Sequence, residues 1–266
     1  MDVLQATILG IVQGLTEFLP VSSSGHLALA TYHFGWGDGL PLWIGVATNT
    51  GTLVAVMVYL RRDVATAASG FVRGLTSPSA RQEEGWRMAL LVIVGSIPTV
   101  IIGIGLRPVF EQLGTAVPVS IALIVTGLVL WTAPLGGAKD RVSRLTFRDA
   151  LLTGVAQGLA VIPGISRSGA TIAMLLWRGA APTMAPRLSF LMYLVVSFGV
   201  ALLEADTVLG EQIAWPALVA MTLASFAVGY VALHVLFALL RRGRFRVFAP
   251  YLWLIAAFTL ARVALG

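Results

Sequence analysis

Six long apolar runs, separated by short polar connections, occupy most of the chain. They cover residues 42–60, 88–106, 117–134, 187–203, 214–240 and 247–265. About 20 apolar residues are enough to cross the hydrocarbon core of a bilayer as a helix. With 58% of its residues apolar and 11% charged, the chain is also too apolar for an ordinary soluble domain. The runs predict an all-α polytopic membrane protein with six transmembrane helices.

Basic residues concentrate in three of the connections between these runs. Segments 61–87, 139–148 and 241–246 hold 13 of the 18 Lys and Arg residues. Because cytoplasmic connections carry an excess of Lys and Arg, we place all three in the cytoplasm and the connections around Arg107 and Glu211 outside. The same bias explains the net charge of +6, so we predict no nucleic-acid partner.

Two further features of the sequence restrict its chemistry and processing. The chain has no cysteine, which excludes disulfides and thiolate metal sites. Its start lacks the basic region of a signal peptide, and Glu17 interrupts the first apolar stretch. We therefore expect the first segment to remain in the mature protein.

Segment 10–26 places polar side chains inside an apolar stretch. Gln13 and Glu17 are four residues apart, so they share one face of a helix that Pro20 ends. The serine triplet 22–24 then begins a second helix, where hydroxyls and free backbone N–H groups gather. A helix start of this kind suits a phosphate group.

A second copy of this segment lies 144 residues further along the chain and is broken at Pro163-Gly164. The identical pairs are Gly10 and Gly154, Gln13 and Gln157, Gly14 and Gly158, Leu15 and Leu159, Ser22 and Ser166, Ser24 and Ser168, and Gly25 and Gly169. We predict one integral membrane domain, 1–266, built from repeats at about 1–134 and 149–266. Alternation of the spans makes these inverted-topology repeats, each with a re-entrant helical hairpin, and their tips should meet inside the protein.

The two copies differ where chemistry is expected. Glu17 corresponds to Val161, His26 to Ala170, and Ser23 to Arg167. An arginine at membrane depth costs at least about 2.5–3.5 kcal/mol, so a partner is expected. Its planar fork also matches phosphate oxygens. The alternative is an ion pair between Glu17 and Arg167 that only ties the hairpins together.

Other polar residues also have a structural and a functional interpretation. Glu17 either holds the hairpins together or acts as general base, general acid or metal ligand. His26, beside the serines, is a catalytic candidate, whereas His33 and His234 lack such company and are expected in the core. The serines could merely cap helices, although three in a row exceed what one cap needs. Gln13 is a candidate ligand, and Gln157 is expected to be structural.

The motifs resemble those of a known family. Gln13-Gly-Leu-Thr-Glu17 followed by Phe-Leu-Pro-Val-Ser-Ser-Ser-Gly-His26, together with the segment from Pro163 to Thr171, closely resembles the undecaprenyl-pyrophosphate phosphatases, also called bacitracin-resistance proteins. The resemblance covers essentially the whole chain. The family allows Glu or Gln at the position of Gln13. With Gln here, Glu17 is the sole carboxylate of the motif.

The resemblance implies hydrolysis of undecaprenyl diphosphate to undecaprenyl phosphate and inorganic phosphate. This reaction recycles the lipid carrier of cell-wall synthesis and confers bacitracin resistance. A divalent cation, Mg²⁺ or Ca²⁺, would assist, with Glu17 as a candidate ligand. The predicted catalytic residues are Glu17, His26, Ser23 and Arg167, and either His26, Ser23 or water is the nucleophile. The predicted phosphate-binding residues are Ser22, Ser24, Ser166, Ser168, Gly25, Gly169, Thr171 and Gln13.

The expected location is the bacterial inner membrane, with the site opening to the external side and membrane lipids around the spans. The expected partner is a polyprenyl diphosphate lipid, and the sequence leaves a homodimer open. The alternative function is transport by a lipid-phosphate flippase or anion carrier, because many secondary transporters also have inverted repeats with broken helices. The asymmetry between the two copies favours an enzyme.

Overall fold

The described part of the chain is helical. The structure is a computed structural model that describes residues 3–35, 42–106, 112–134, 139–209 and 214–265, with the backbone alone for 42, 43, 143 and 204–209. Its α-helices are α1 (Val3–Phe18), α2 (Ser23–Phe34), α3 (Leu42–Tyr59), α4 (Arg61–Thr76), α5 (Glu84–Gly105), α6 (Ala116–Thr132), α7 (Phe147–Leu159), α8 (Arg167–Trp177), α9 (Met184–Leu209), α10 (Trp215–Arg241) and α11 (Phe248–Leu265). Within the described ranges no strand forms, and Lys139 and Ala180 make one isolated bridge. The predicted all-α class is confirmed.

Four of the described helical segments are long and apolar enough to cross a membrane. They are Glu84–Gly105, Met184–Leu203, Trp215–Arg241 and Phe245–Leu265. A fifth is reached if α3 and α4, which meet at an angle of 80°, count as one span. Helix α6 is apolar but has only 17 residues, so the predicted total of six spans stays a prediction.

Several predicted boundaries shift in the structure. Helix α9 begins at Met184, before the predicted start at 187, because Pro186 lies in its first turn, where no N–H partner is required. It also continues to Leu209, past the predicted end at 203. The predicted external charges Arg107, Glu111 and Glu211 lie outside the described residues.

Two pairs of short helices lie where the sequence predicted the hairpins, and their re-entrant insertion into the membrane stays a prediction. The first joins α1, of 16 residues, to α2, of 12 residues, and the second joins α7, of 13 residues, to α8, of 11 residues. At 1.5 Å of rise per residue, every arm is shorter than the roughly 30 Å hydrocarbon core. The helices stop at residues 18 and 159 and begin again at 23 and 167.

The hairpins pack reciprocally on the two halves of the chain. Helix α1 packs against α10 of the second half, and α7 packs against α5 of the first half. Matching glycines allow the close approach, since a Cβ at Gly10 would collide with the Met221 carbonyl and one at Gly154 with the Gly95 carbonyl. The same device at equivalent positions supports the duplicated arrangement.

Asp149 fastens the start of the second hairpin. It forms a capping box with Thr146, and its carboxylate accepts hydrogen bonds from Lys139 at 2.7 Å and Arg178 at 2.8 Å. Burial raises the pKa of the Asp149 carboxyl, but the hydrogen bonds from Lys139, Thr146 and Arg178 outweigh it and lower the pKa to about 2. Asp149 thus has the helix-terminal role that its place in the sequence favours.

Candidate active site

The tips of the two hairpins touch in the interior of the protein. The Gly164 backbone N–H donates a hydrogen bond to Ser22 Oγ at 3.2 Å. In return, Ser168 Oγ donates to the Leu19 carbonyl at 3.4 Å. The predicted meeting of the tips is therefore observed.

Ser22 and Ser166 each cap the helix that follows them. Ser22 Oγ accepts from the Gly25 N–H at 3.3 Å, and Ser166 Oγ accepts from the Gly169 N–H at 3.1 Å. Both serines are buried. The capping interpretation therefore holds for these two, which also line the cavity described below.

Thr126 of α6 holds the second tip by two hydrogen bonds. Its Oγ1 donates to the Gly164 carbonyl at 2.9 Å and accepts from the Ser166 N–H at 3.2 Å. Gly164 has a φ of 98°, and a Cβ there would lie 2.6 Å from the Val119 carbonyl oxygen. Only glycine fits this turn without strain.

Glu17 and Arg167 form an ion pair between the two tips. Arg167 Nη2 lies 3.2 Å from Glu17 Oε1. The other carboxylate oxygen accepts from Gln13 Nε2 at 3.0 Å and from the Ser23 hydroxyl. The Glu17 side chain is only 4% exposed, whereas that of Arg167 is 31% exposed, so the guanidinium retains a face toward the cavity.

Three residues that the sequence did not single out complete this cluster. Arg167 Nη1 donates to Ser197 Oγ at 2.9 Å, and its guanidinium lies 4.6 Å from the Tyr193 ring centroid. Asn49 Oδ1 accepts from Gln13 Nε2 at 2.8 Å. In the sequence, Asn49 lies in the threonine-rich segment 48–52 and Ser197 follows Tyr193 at helical spacing, but neither belongs to the repeated motif.

Two adjoining cavities open at this cluster. The first, of about 230 Å³, lies between the tips and is lined by Gln13, Glu17, Ser22, Ser23, Ser24, Leu27, Gly45, Thr48, Asn49, Ala160, Ile165, Ser166 and Arg167. The second, of about 250 Å³, has more apolar walls, including Val46, Leu53, Val161, Val196 and Val200. Ser24, Asn49, Ala160 and Arg167 line both. A charged headgroup could therefore occupy the first while apolar groups contact the second.

Some predicted site residues lie away from these cavities. Thr171 is buried behind the second tip, where its hydroxyl bonds the Arg167 carbonyl at 2.7 Å and Ser189 Oγ at 2.6 Å. Gly25 and Gly169 supply capped N–H groups. His26 does not line either cavity in the described part of the chain, and its ring lies against Tyr251 of α11.

The described residues contain no group of three or more His, Asp or Glu side chains that could hold a metal ion. Glu17 contributes the one carboxylate among the residues lining the first cavity, beside the side-chain oxygens of Asn49 and Thr48. Mg²⁺ commonly binds through one or two carboxylates, substrate phosphates and water. This donor set fits a cation that is held jointly by the protein and a phosphate ligand.

The chain is similar in sequence to known proteins over nearly its whole length. The bacitracin resistance protein BacA family matches residues 6–258. A protein of Acaryochloris marina named undecaprenyl-diphosphatase is 62% identical over the full length of both chains. Proteins with the same name from Desulfosudis oleivorans and a Nocardioides species are 42% and 40% identical, over 98% and 100% of this chain and 98% and 94% of theirs.

Proposed function

Because the chain belongs to the bacitracin resistance protein BacA family, we propose that it is an undecaprenyl-diphosphatase of the cell membrane. It hydrolyses undecaprenyl diphosphate to undecaprenyl phosphate and inorganic phosphate. The full-length relatives that carry this enzyme name support the hydrolase over the alternative flippase or anion carrier.

The Glu17–Arg167 pair that lines the polar cavity is the observation that carries the mechanism. A phosphate group carries about −1.5 to −2 charges at neutral pH. The partly exposed guanidinium of Arg167 can bind its oxygens bidentately, so the negative charge that develops on the transferred phosphate stays next to the guanidinium. The helices that begin at the two tips add backbone N–H groups, whose partial positive charge also favours a phosphate.

Ser23 is the nucleophile that this geometry supports. Its hydroxyl donates a hydrogen bond to Glu17, so nucleophile and base are already paired. Ser23 Oγ attacks the terminal phosphorus while Glu17 takes the hydroxyl proton. The bond from phosphorus to the bridging oxygen breaks, and undecaprenyl phosphate leaves. Water then attacks the phosphoserine, the bond from phosphorus to Ser23 Oγ breaks, and Glu17 returns its proton to Oγ. Inorganic phosphate leaves, which restores both Ser23 and the Glu17 carboxylate.

A divalent cation fits the oxygen-lined cavity next to Glu17 and Asn49. When bound, it would neutralise charge on the diphosphate. Glu17 and the Asn49 side chain are the protein oxygens that would hold it. Chelation should therefore lower activity, and Mg²⁺ or Ca²⁺ should restore it.

The helices and the distribution of basic residues support a location for the enzyme. The chain is a multi-pass membrane protein. We place it in the bacterial inner membrane with the headgroup site open to the external side, because the three basic connections belong on the cytoplasmic side. The prenyl chain would lie along the apolar walls of the second cavity.

Phosphate release by purified protein tests the proposal. In detergent with Mg²⁺ or Ca²⁺, the wild type should release phosphate from a polyprenyl diphosphate. Glu17→Gln and Arg167→Ala should each lower kcat by at least about 10²-fold because each removes a group that stabilises transferred charge or accepts a proton. Undiminished release in both folded variants would contradict the site, and lipid movement without hydrolysis by wild type would support a transporter.

A further inference from the structure

The ring of His26 contacts Tyr251 on the side of α2 that faces α11. His26 Nδ1 lies 2.8 Å from the Ser22 carbonyl oxygen, and Nε2 lies 2.8 Å from the Tyr251 hydroxyl. The His26 and Tyr251 rings are also nearly parallel, at 9°, with centroids 5.7 Å apart. Both ring nitrogens therefore have partners other than the residues of the cavity.

These partners determine which ring nitrogen carries the proton. A carbonyl oxygen only accepts hydrogen bonds, so His26 Nδ1 must donate to Ser22. In the neutral ring Nε2 then has no hydrogen, and it accepts from the Tyr251 hydroxyl. A nucleophile or proton shuttle needs a ring nitrogen within about 2.6–3.2 Å of the reacting group. Neither nitrogen of His26 is free for that contact.

The residue that His26 holds has an unusual backbone conformation. Within the described ranges, Ser22 is the only residue other than glycine with a positive φ, of 70°. Such conformations are strained and persist where surrounding contacts maintain them. The Ser22 carbonyl accepts from the His26 backbone N–H at 3.0 Å as well as from the ring. His26 thus supplies two of the contacts that hold this turn.

Ser22 also connects the turn to the reaction site. Its hydroxyl receives the Gly164 N–H of the other hairpin and caps α2. The next residue, Ser23, donates to Glu17. A change in the Ser22 backbone would therefore move Ser23 relative to the base and loosen the contact between the tips.

We infer that His26 and Tyr251 are a positioning pair that holds the Ser22 turn and so keeps Ser23 on Glu17. His26 forms no phosphorylated intermediate and exchanges no proton with the substrate. This assignment differs from the catalytic role that the sequence favoured for His26. It rests on the proposed hydrolysis, because its effect is on the geometry of the transfer site.

Kinetics of conservative variants test the pair. His26→Asn retains a donor near the position of Nδ1, and Tyr251→Phe removes only the hydroxyl. Each should lower kcat by about 3- to 10-fold, with KM and both limbs of the pH profile unchanged. The double variant should be no slower than the slower single variant, because both substitutions break one connected set of contacts. His26→Ala should be slower than His26→Asn.

A second contact between α2 and α11 provides the matched control. His33 Nε2 lies 3.1 Å from Thr259 Oγ1, on the same two helices but away from the tip. If the role of His26 were only to fasten α2 to α11, His33→Asn and Thr259→Val would lower kcat equally. The inference requires that kcat stay within about 2-fold of the wild type in both.

Amide hydrogen exchange tests the turn without reference to activity. In Tyr251→Phe and His26→Asn, backbone amides of segment 19–26 should exchange faster than in wild type, while His33→Asn should leave that segment unchanged. Unchanged exchange in the first two variants would overturn the inference even if no substrate is hydrolysed. A trapped phosphohistidine in active wild type, a loss above about 10³-fold in His26→Asn, or loss of one pH limb would also overturn it. A wild type without phosphate release would instead refute the proposed function.

Discussion

The tip of each hairpin has a serine that caps the following helix, but the residue after that serine differs between the two tips. In the first hairpin Ser23 follows Ser22 and donates to Glu17. In the second, Arg167 follows Ser166 and forms the ion pair with Glu17 from the opposite side. Although Ser22 has a positive φ and Ser166 is extended, the residue after each cap reaches the same carboxylate, with a hydroxyl from the first hairpin and a guanidinium from the second.

The helices behind the tips show a similar division. Gln13 of α1 donates to both Glu17 and Asn49, so it belongs to the cluster. Its counterpart Gln157 of α7 donates to Thr99 Oγ1 at 3.2 Å, and its Oε1 is buried without a partner. The two glutamines occupy matching positions in the sequence, but only Gln13 bonds to Glu17.

Replacing the hydroxyl of the first tip should have the largest effect. Ser23→Ala should lower kcat by at least about 10³-fold because it removes the nucleophile, while leaving the Ser22 cap in place. Phosphate release in detergent measures this, and Ser23→Thr, which keeps a hydroxyl, should retain measurable activity. Wild-type rates in Ser23→Ala would show that water attacks directly and that Ser23 only orients Glu17.

Glycine substitution tests whether both hairpins need the same close packing. Gly10→Ala and Gly154→Ala should each lower the free energy of unfolding by about 1–3 kcal/mol, because the new methyl group meets a carbonyl of the facing helix. Denaturation of the purified variants gives these values. Gly199→Ala is the control, since a Cβ there has no atom within 4 Å. A marked loss at only one of the two positions would argue against equivalent packing.

Substitution of the two matching glutamines, Gln13 and Gln157, should have the smallest effect on activity. Gln13→Leu should lower kcat by about 10-fold because Glu17 loses a hydrogen bond that orients it. Gln157→Leu should change kcat by less than about 2-fold, since Gln157 bonds to Thr99 and not to Glu17; because Gln157 lines the second cavity, any loss should be in KM. Steady-state kinetics of both variants measures the contrast. Equal losses would mean that the two repeats contribute alike.

Much of the site was accessible from sequence because its elements are local. Pro20 and the serines mark the break in the first hairpin, and the recurrence at 144 residues marks the second. An acid and an arginine in apolar stretches each require a partner, which predicted the Glu17–Arg167 pair. Asn49 was missed although it lies in the threonine-rich segment 48–52, and Tyr193 and Ser197 were missed although they are four residues apart on one helix, because none of them belongs to the repeated motif.

His26 shows where sequence reasoning had to stop. Its neighbours along the chain are serines, which favoured catalysis, but the partner of its ring is Tyr251, which lies 225 residues away in sequence. Side-chain direction depends on how α2 and α11 pack, and no local pattern encodes that packing.

The sequence by itself determined an all-α membrane protein with two interrupted helices and an ion pair between Glu17 and Arg167. The signals were the lengths of the apolar runs, the prolines that break helices, the serines that cap them and the positions of the arginines. These signals suffice because burial in lipid and the needs of helix ends act on neighbouring residues. Only the packing of distant helices decided that the Ser23 hydroxyl contacts Glu17, that Tyr193 covers Arg167 and that the His26 ring faces Tyr251. Those contacts join segments far apart in the chain, so they exist only once the chain has folded.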